Sequence, residues 1–183
     1  QFPKHEKTKA NTISLNDADA ITDRDSFEHY PWPDPDKADY SVYEALAPEL
    51  PAGMKFIAIG PGGVLENVIG LVGYERLCMI TMMEPEFADE IFEAVGSRLV
   101  SFYRHCASYP GVGACFGNDD WGFKGQTMLS PQAMRRYVFP WHRRIVQAVH
   151  DAGKPAILHS CGNLEAVMDD VIEDIGYDGK HSF

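Results

Sequence analysis

The strongest constraint on the fold is a regular alternation of short apolar runs with longer amphipathic segments beyond residue 50. Apolar runs near 55–60, 112–117 and 155–160 are bounded by glycine, proline or polar residues, which is typical of buried strands. A fourth strand begins in the segment Tyr177 to Phe183. The segments between the runs predict helices at 64–73, 74–83, 85–107, 131–152 and 163–175. Strands that alternate with helices pair in parallel through helical crossovers, so the pattern predicts an α/β fold.

Prolines predict two departures from this pattern. The first 39 residues are polar, and the prolines between Tyr30 and Tyr40 exclude a helix or a central strand there. We predict an extended lead-in whose Tyr30 and Trp32 pack against the body, followed by a short helix at 40–47. Within the segment 131–152, Pro140 is predicted to break or kink the helix.

The charge of the chain excludes some classes of partner. The 183 residues include 16 Lys and Arg against 27 Asp and Glu, a formal net charge of -11. Such a chain is a poor candidate for binding nucleic acid or an anionic membrane surface.

No apolar stretch is long enough to span a bilayer, and the four cysteines form no CxxC pair. We therefore expect a cytoplasmic protein with reduced thiols.

Polar side chains gather where the predicted strands end. Asn118, Asp119 and Asp120 follow one apolar run, His159 to Cys161 follow the next, and Lys180 to Ser182 follow the fourth. In parallel α/β folds, open or closed into a barrel, ligands bind at the carboxyl ends of the strands. These positions are the candidate site.

His159 and Cys161 form the most specific pair. Residues i and i+2 of a strand point to the same face, and imidazole and thiolate are common zinc ligands. The alternative is a hydrogen-bonded histidine beside a small buried cysteine. Because zinc sites need three or four ligands, the pair alone leaves both interpretations open.

Asp119 and Asp120 carry a second hypothesis. Two carboxylates at a strand end can orient a ligand or form an acid–base pair. They can equally cap a helix or turn a solvated loop. The residues alone do not decide between these roles.

Several segments together resemble the uroporphyrinogen decarboxylase (URO-D) superfamily, and most of all its corrinoid-dependent methyltransferase branch. The resembling stretches run in family order from about Tyr30 to Phe183, and they are "YPWPDPD", "GGVLENVIGLVGYE", "GNDDWGFKGQTMLSP", "YVFPWHRRIVQAVHDAGKPAILHSCGN" and "DGKHSF". The resemblance implies a (β/α)8 TIM barrel of roughly twice this length. It divides the single partial domain, residues 1–183, into a lead-in (1–50) and the first βα units of the barrel (51–183).

The resemblance also implies chemistry. In the methyltransferase branch zinc is held by a H-x-C pair and a further cysteine on a later strand. His159 and Cys161 match the pair, the later cysteine has no counterpart up to Phe183, and His181 is a conceivable substitute. A thiol cosubstrate bound to Zn²⁺ as its thiolate would take the methyl group from a cobalamin-type corrinoid on a partner protein. Asp119 and Asp120 would then be catalytic residues that orient the substrate.

Two alternatives stay open. The first is uroporphyrinogen decarboxylase itself, which needs no metal but needs arginines near its site to bind the carboxylates of a porphyrinogen. Here every arginine from Arg76 onward falls on a predicted helix. The second is a truncated, non-catalytic folded module. Because a parallel sheet with open edges tends to pair, we expect a homo-oligomer.

Overall fold

The structure of the protein is a computed structural model that describes residues 15, 16, 18 and 20–182. The first part of the predicted lead-in, residues 1–14, lies outside the described residues. The strands are β1 (Phe56–Ile59), β2 (Val112–Asn118), β3 (Ala156–His159) and β4 (Gly179–His181). The α-helices are α1 (Arg24–Glu28), α2 (Val42–Leu46), α3 (Val64–Val72), α4 (Tyr74–Met83), α5 (Pro85–Ser108), α6 (Pro131–Ala133) and α7 (Phe139–Asp151). Short 3-10 turns cover Pro35–Lys37, Ala47–Glu49 and Glu165–Val167, and π-helical turns cover Met134–Val138 and Asp170–Ile175.

The four strands form one parallel sheet in the order β1-β2-β3-β4. Each strand lies beside its successor in the chain, and the helices make the crossovers between them. This arrangement confirms the predicted α/β fold. It also brings the carboxyl ends of β2, β3 and β4 to one edge, with His159 of β3 in register with both Asn118 and His181.

The two faces of the sheet differ in burial. Ala58 of β1 and Leu158 of β3 face the helices and are buried. The alternate residues point to the opposite face, where Ile57 and Ile59 are 56% and 60% exposed. Because side chains alternate along a strand, one face of the sheet packs against the helices and the other face is open. His159 lies on the open face.

The helical layer is built on the close approach of two long helices. Helix α5 begins at Pro85, a residue suited to the first helical turn, and buries Phe87, Ile91 and Leu99 at helical spacing. Its Gly96 faces Trp141 of α7, and a Cβ atom there would lie 2.2 Å from the indole. The absence of a side chain at this position allows α5 and α7 to pack closely.

Of the break or kink predicted at Pro140, the break does not occur. The chain stays helical, because α6 continues through the π-helical turn directly into α7. The amide of Phe139 bonds to the carbonyl of Met134 five residues earlier, and this wider turn accommodates the proline, which has no N–H to donate. The helix predicted at 163–175 is also irregular, since it begins as a 3-10 turn at Glu165 and ends in a π-helical turn.

The prediction that the prolines between Tyr30 and Tyr40 exclude a helix is wrong in one place, because Pro35 begins a 3-10 turn, where its missing N–H costs no hydrogen bond. Helix α1 was missed, and it begins at a capping box in which Asp23 accepts from the amide of Ser26. Tyr30 is buried and Trp32 packs against the core under the guanidinium of Arg98, as predicted for the two aromatic residues. Among the described helices, none combines the length and the apolar character needed to cross a membrane.

Candidate metal centre

Asp120, His159 and Cys161 come together at the carboxyl edge of the sheet. One ligand atom from each lies within 4.8 Å of the others. His159 Nε2 is 3.6 Å from Cys161 Sγ and 3.7 Å from Asp120 Oδ1. The predicted pair therefore lies together, although Cys161 follows the end of β3, and the loop after β2 adds a carboxylate to it.

These spacings fit a zinc ion. Tetrahedral Zn²⁺ with bonds of about 2.0–2.3 Å places neighbouring ligand atoms about 3.3–3.8 Å apart. The two distances from His159 Nε2 fall in this range. Imidazole nitrogen, thiolate sulfur and carboxylate oxygen are also the ligand types that zinc prefers. The residues present thus fit Zn²⁺ with three protein ligands, a number that leaves a fourth position for another molecule.

A close contact between two glycine backbones brings Asp120 to Cys161. The amide of Gly122 donates to the carbonyl of Cys161 over 3.1 Å, and the amide of Cys161 donates to Asp120 Oδ1 over 2.7 Å. Gly162 has a φ of +84°, and a Cβ atom there would lie 2.1 Å from the carbonyl oxygen of Gly122. Only glycine fits this turn without strain, so Gly162 lets the two loops approach.

The structure separates the two aspartates. Asp119 is fully buried. Its carboxylate accepts from the amides of Leu65 and Glu66 at the start of α3, at 3.0 and 2.9 Å. It also accepts from His142 Nε2 at 2.8 Å. The catalytic role predicted for Asp119 stays a prediction, and its contacts are those of a residue that fixes the loop from which Asp120 projects.

The hydrogen bonds of Asp119 extend further into the helical layer. His142 Nδ1 lies 2.7 Å from the hydroxyl of Tyr177, and burial raises the pKa of that phenol. On the other side, a Cβ atom at Gly63 would lie 2.0 Å from Asp119 Cγ. His142 and Tyr177 were missed as supporting residues, because no spacing along the chain relates them to Asp119.

Glu66 is a third residue that the sequence patterns did not predict. Its Oε2 accepts from the side-chain amide of Asn118 at 3.1 Å, next to the predicted aspartates. Burial, followed by the negative charge of Asp119, raises the pKa of Glu66 to about 7. It lies inside the stretch "GGVLENVIGLVGYE", but it is a lone carboxylate on a helix and carries no motif.

The end of β4 completes the cluster. His181 Nδ1 lies 2.7 Å from His159 Nδ1, and Ser182 Oγ lies 3.5 Å from Cys161 Sγ. Ser182 has a φ of 73°, a left-handed backbone that non-glycine residues adopt at a cost. His181, the last residue of β4, and Ser182 directly after it thus contact the two predicted zinc ligands at the end of β3.

A parallel sheet with helical crossovers and a ligand cluster at the carboxyl ends of its strands is typical of α/β proteins with an open sheet or a closed β/α barrel. Within that class, the chain belongs to the uroporphyrinogen decarboxylase (URO-D) family, because the family model matches residues 9–181. The sequence matches no curated protein.

Among solved structures, a methyltransferase from Methanosarcina mazei is similar in fold, with a TM-score of 0.66 and 15% sequence identity. The match covers 92% of this chain and 48% of that one, so the chain spans about half the length of this relative. The four parallel strands therefore correspond to part of a (β/α)8 barrel, which confirms the predicted fold class.

Proposed function

We propose that the protein is a methyltransferase that moves a methyl group between a corrinoid carried by a partner protein and a thiol-type acceptor, with Zn²⁺ held by Asp120, His159 and Cys161. The observation that carries the proposal is the convergence of three ligand atoms within 4.8 Å of one another, with both distances from His159 Nε2 in the range of tetrahedral zinc. The name of the similar M. mazei structure supports the reaction class. Asp120 supplies a ligand on this chain in addition to the predicted pair.

When bound, Zn²⁺ would stabilise a thiol ligand as its thiolate, the form that attacks a methyl group. The residues of the chain itself contribute by holding the three ligand side chains in position. The backbone amide of Cys161 fixes the Asp120 carboxylate at 2.7 Å, and the buried Asp119 anchors the same loop to α3. Such contacts hold the three ligand atoms in place before a metal or a substrate arrives.

The positions of the arginines give less support to the alternative function, uroporphyrinogen decarboxylase. Binding a polycarboxylate needs guanidinium groups near the site. Here Arg135 pairs with Asp170, and Arg143 pairs with Asp174. Arg98 bonds to backbone carbonyls of the lead-in and of α5. These arginines lie on helices that cover the sheet, as predicted.

The experiment that tests the proposal uses free methylcobalamin as the methyl donor and 2-mercaptoethanol as the acceptor. We expect the absorbance of the methylcobalt species to fall with time, and we expect the reaction to require both the thiol and zinc. Cys161→Ala should abolish turnover, whereas Cys78→Ala, on α4, is the matched control and should keep the wild-type rate.

Full turnover after removal of zinc by a chelator would contradict the proposal. Decarboxylation of a porphyrinogen by the same metal-free preparation would instead favour the alternative function. Retention of turnover by Cys161→Ala would exclude the cysteine from the metal centre.

A further inference from the structure

His159 uses its two ring nitrogens in two directions. Its Nε2 faces Cys161 Sγ and Asp120 Oδ1, while its Nδ1 lies 2.7 Å from Nδ1 of His181. The two histidines are register partners on neighbouring parallel strands, and their ring centroids are 5.0 Å apart. The side chain of Phe116 on β2 packs near both rings, with centroid distances of 6.0 and 5.7 Å.

The contact between the two imidazoles determines which nitrogen of His159 is available. A neutral imidazole has one N–H donor and one acceptor nitrogen. If His159 donates from Nδ1, its Nε2 keeps a lone pair that faces Cys161 and Asp120. If His181 is the donor, Nε2 of His159 carries the hydrogen and cannot bind a metal ion. The direction of this hydrogen bond therefore determines which tautomer of His159 is favoured, and so how readily Nε2 presents its lone pair to the cluster.

We propose that His181 is a positioning residue: its Nδ1 accepts the hydrogen bond from Nδ1–H of His159 and holds that ring in the tautomer and orientation that present Nε2 to Zn²⁺. This inference rests on the proposed function, because it assigns a role within the same metal centre. Metal-bound histidines commonly donate their second N–H to a protein acceptor, and loss of such an acceptor typically lowers metal affinity about 10–100-fold.

Ser182, the residue directly after β4, supports the same assignment. The left-handed backbone of Ser182 accompanies a hydroxyl position 3.5 Å from Cys161 Sγ. Strain of this kind persists where the surrounding contacts fix it. The chain at the end of β4 thus contacts both His159 and Cys161, the first through His181 and the second through Ser182. Since Nδ1 of His181 is engaged by His159, this nitrogen acts on the metal through its neighbour.

The test measures Zn²⁺ affinity by competition with a chromophoric chelator in the wild type and three variants. His181→Ala removes the acceptor, and we expect a loss of about 10–100-fold in affinity. His181→Asn keeps an oxygen acceptor near the position of Nδ1, and it should restore most of the affinity. His29→Ala is the matched control, because His29 is an exposed histidine that contacts Asp25 on α1, and it should bind zinc as the wild type does.

A second measurement reports the tautomer directly. Long-range ¹⁵N–¹H correlation spectra of the metal-free protein should show His159 as the Nδ1–H tautomer in the wild type and in His181→Asn. In His181→Ala we expect a shift toward the Nε2–H tautomer. A purely structural role of His181 would leave this spectrum unchanged.

The outcomes separate the two claims. If the wild type binds no zinc, the proposed function fails and the role of His181 fails with it. If the wild type binds zinc and His181→Ala binds it equally well, the role of His181 is overturned while the proposed function stands. If His181→Asn is as impaired as His181→Ala, the acceptor role is overturned as well. Because His181 is exposed at the end of the sheet, we expect both variants to remain folded, which circular dichroism checks.

Discussion

Asp119 Oδ2 lies 2.8 Å from His142 Nε2, and both side chains are buried. The same carboxylate accepts from two amides at the start of α3. One buried group therefore joins the loop after β2 to helix α3 and helix α7.

Asp119→Asn should destabilise the fold. An amide has only one acceptor oxygen, so at least one of the three donors around Asp119 loses its partner in a buried place. We expect the free energy of unfolding to fall by about 2–4 kcal/mol, measured by urea denaturation monitored by circular dichroism. A change below about 0.5 kcal/mol would contradict the structural role of this carboxylate.

Asp120→Asn should have the opposite profile. The variant keeps an oxygen that can accept from the amide of Cys161, so stability should change little. It removes the negative charge from the metal cluster, and Zn²⁺ affinity should fall at least about tenfold. Chelator competition measures the affinity. Asp119→Asn is the comparison variant, and it is assayed at a temperature at which it is folded. Unchanged zinc binding would remove Asp120 from the ligand set.

The two glycines at α3 should respond differently to alanine. A Cβ atom at Gly63 would lie 2.0 Å from Asp119 Cγ, whereas Gly70 has open space around it. Gly63→Ala should therefore cost at least about 2 kcal/mol. Gly70→Ala should stabilise the helix by up to about 1 kcal/mol. Thermal unfolding of the two variants checks the contrast, and equal melting temperatures would contradict it.

The cysteines should differ in reactivity. Burial raises the pKa of the Cys115 thiol to about 12 and also raises the pKa of Cys106, while Cys78 and Cys161 are partly exposed. Iodoacetamide should modify the exposed pair and spare the buried pair. Added Zn²⁺ should protect Cys161 without protecting Cys78, as measured by peptide mass spectrometry. Protection of both, or of neither, would contradict a metal site at Cys161.

The raised pKa of Glu66 predicts a pH dependence of stability. The folded-state pKa of about 7 lies above the ordinary value of 4.5, so the folded chain binds more protons than the unfolded chain between these values. Stability should therefore fall as the pH rises from about 4.5 to 7. The loss should be on the order of 1 kcal/mol, because solvent screens this partly exposed group.

Glu66→Gln is the control for that dependence. The glutamine side chain does not ionise. The variant should therefore lack the fall in stability that Glu66 causes between pH 4.5 and 7. The measurement is urea denaturation of both proteins across the range, with a chelator present to exclude metal binding. Parallel curves for the two proteins would show that Glu66 does not titrate in this window.

Sequence patterns predicted the parts of the molecule that depend on local order. Strand alternation placed β3 correctly. It placed His159 at the last position of the strand, whereas Cys161 lies beyond the strand and still approaches His159 Nε2 to 3.6 Å. The left-handed turn at Gly162 also follows from its position after a strand. These features need only the chain near each residue.

The remaining parts depend on contacts between distant segments. Asp120 joins the metal cluster because the backbones at Gly122 and Gly162 touch. Glu66 approaches Asn118 only after β1 and β2 have paired. Helix α1 was not predicted, because the polar lead-in with its later prolines indicated an extended chain. The capping box of Asp23 and Ser26 is nevertheless a local signal. Pairings of this kind have no fixed spacing in the sequence.

With the role proposed for His181, metal affinity would be a measure of strand register. In a sheet, a slip of one residue turns every side chain of the shifted strand to the other face. A slip of β4 would carry His181 toward the helices and bring Lys180 or Ser182 beside His159. A zinc titration would detect this change of register. Circular dichroism would not, because the amount of strand would stay the same.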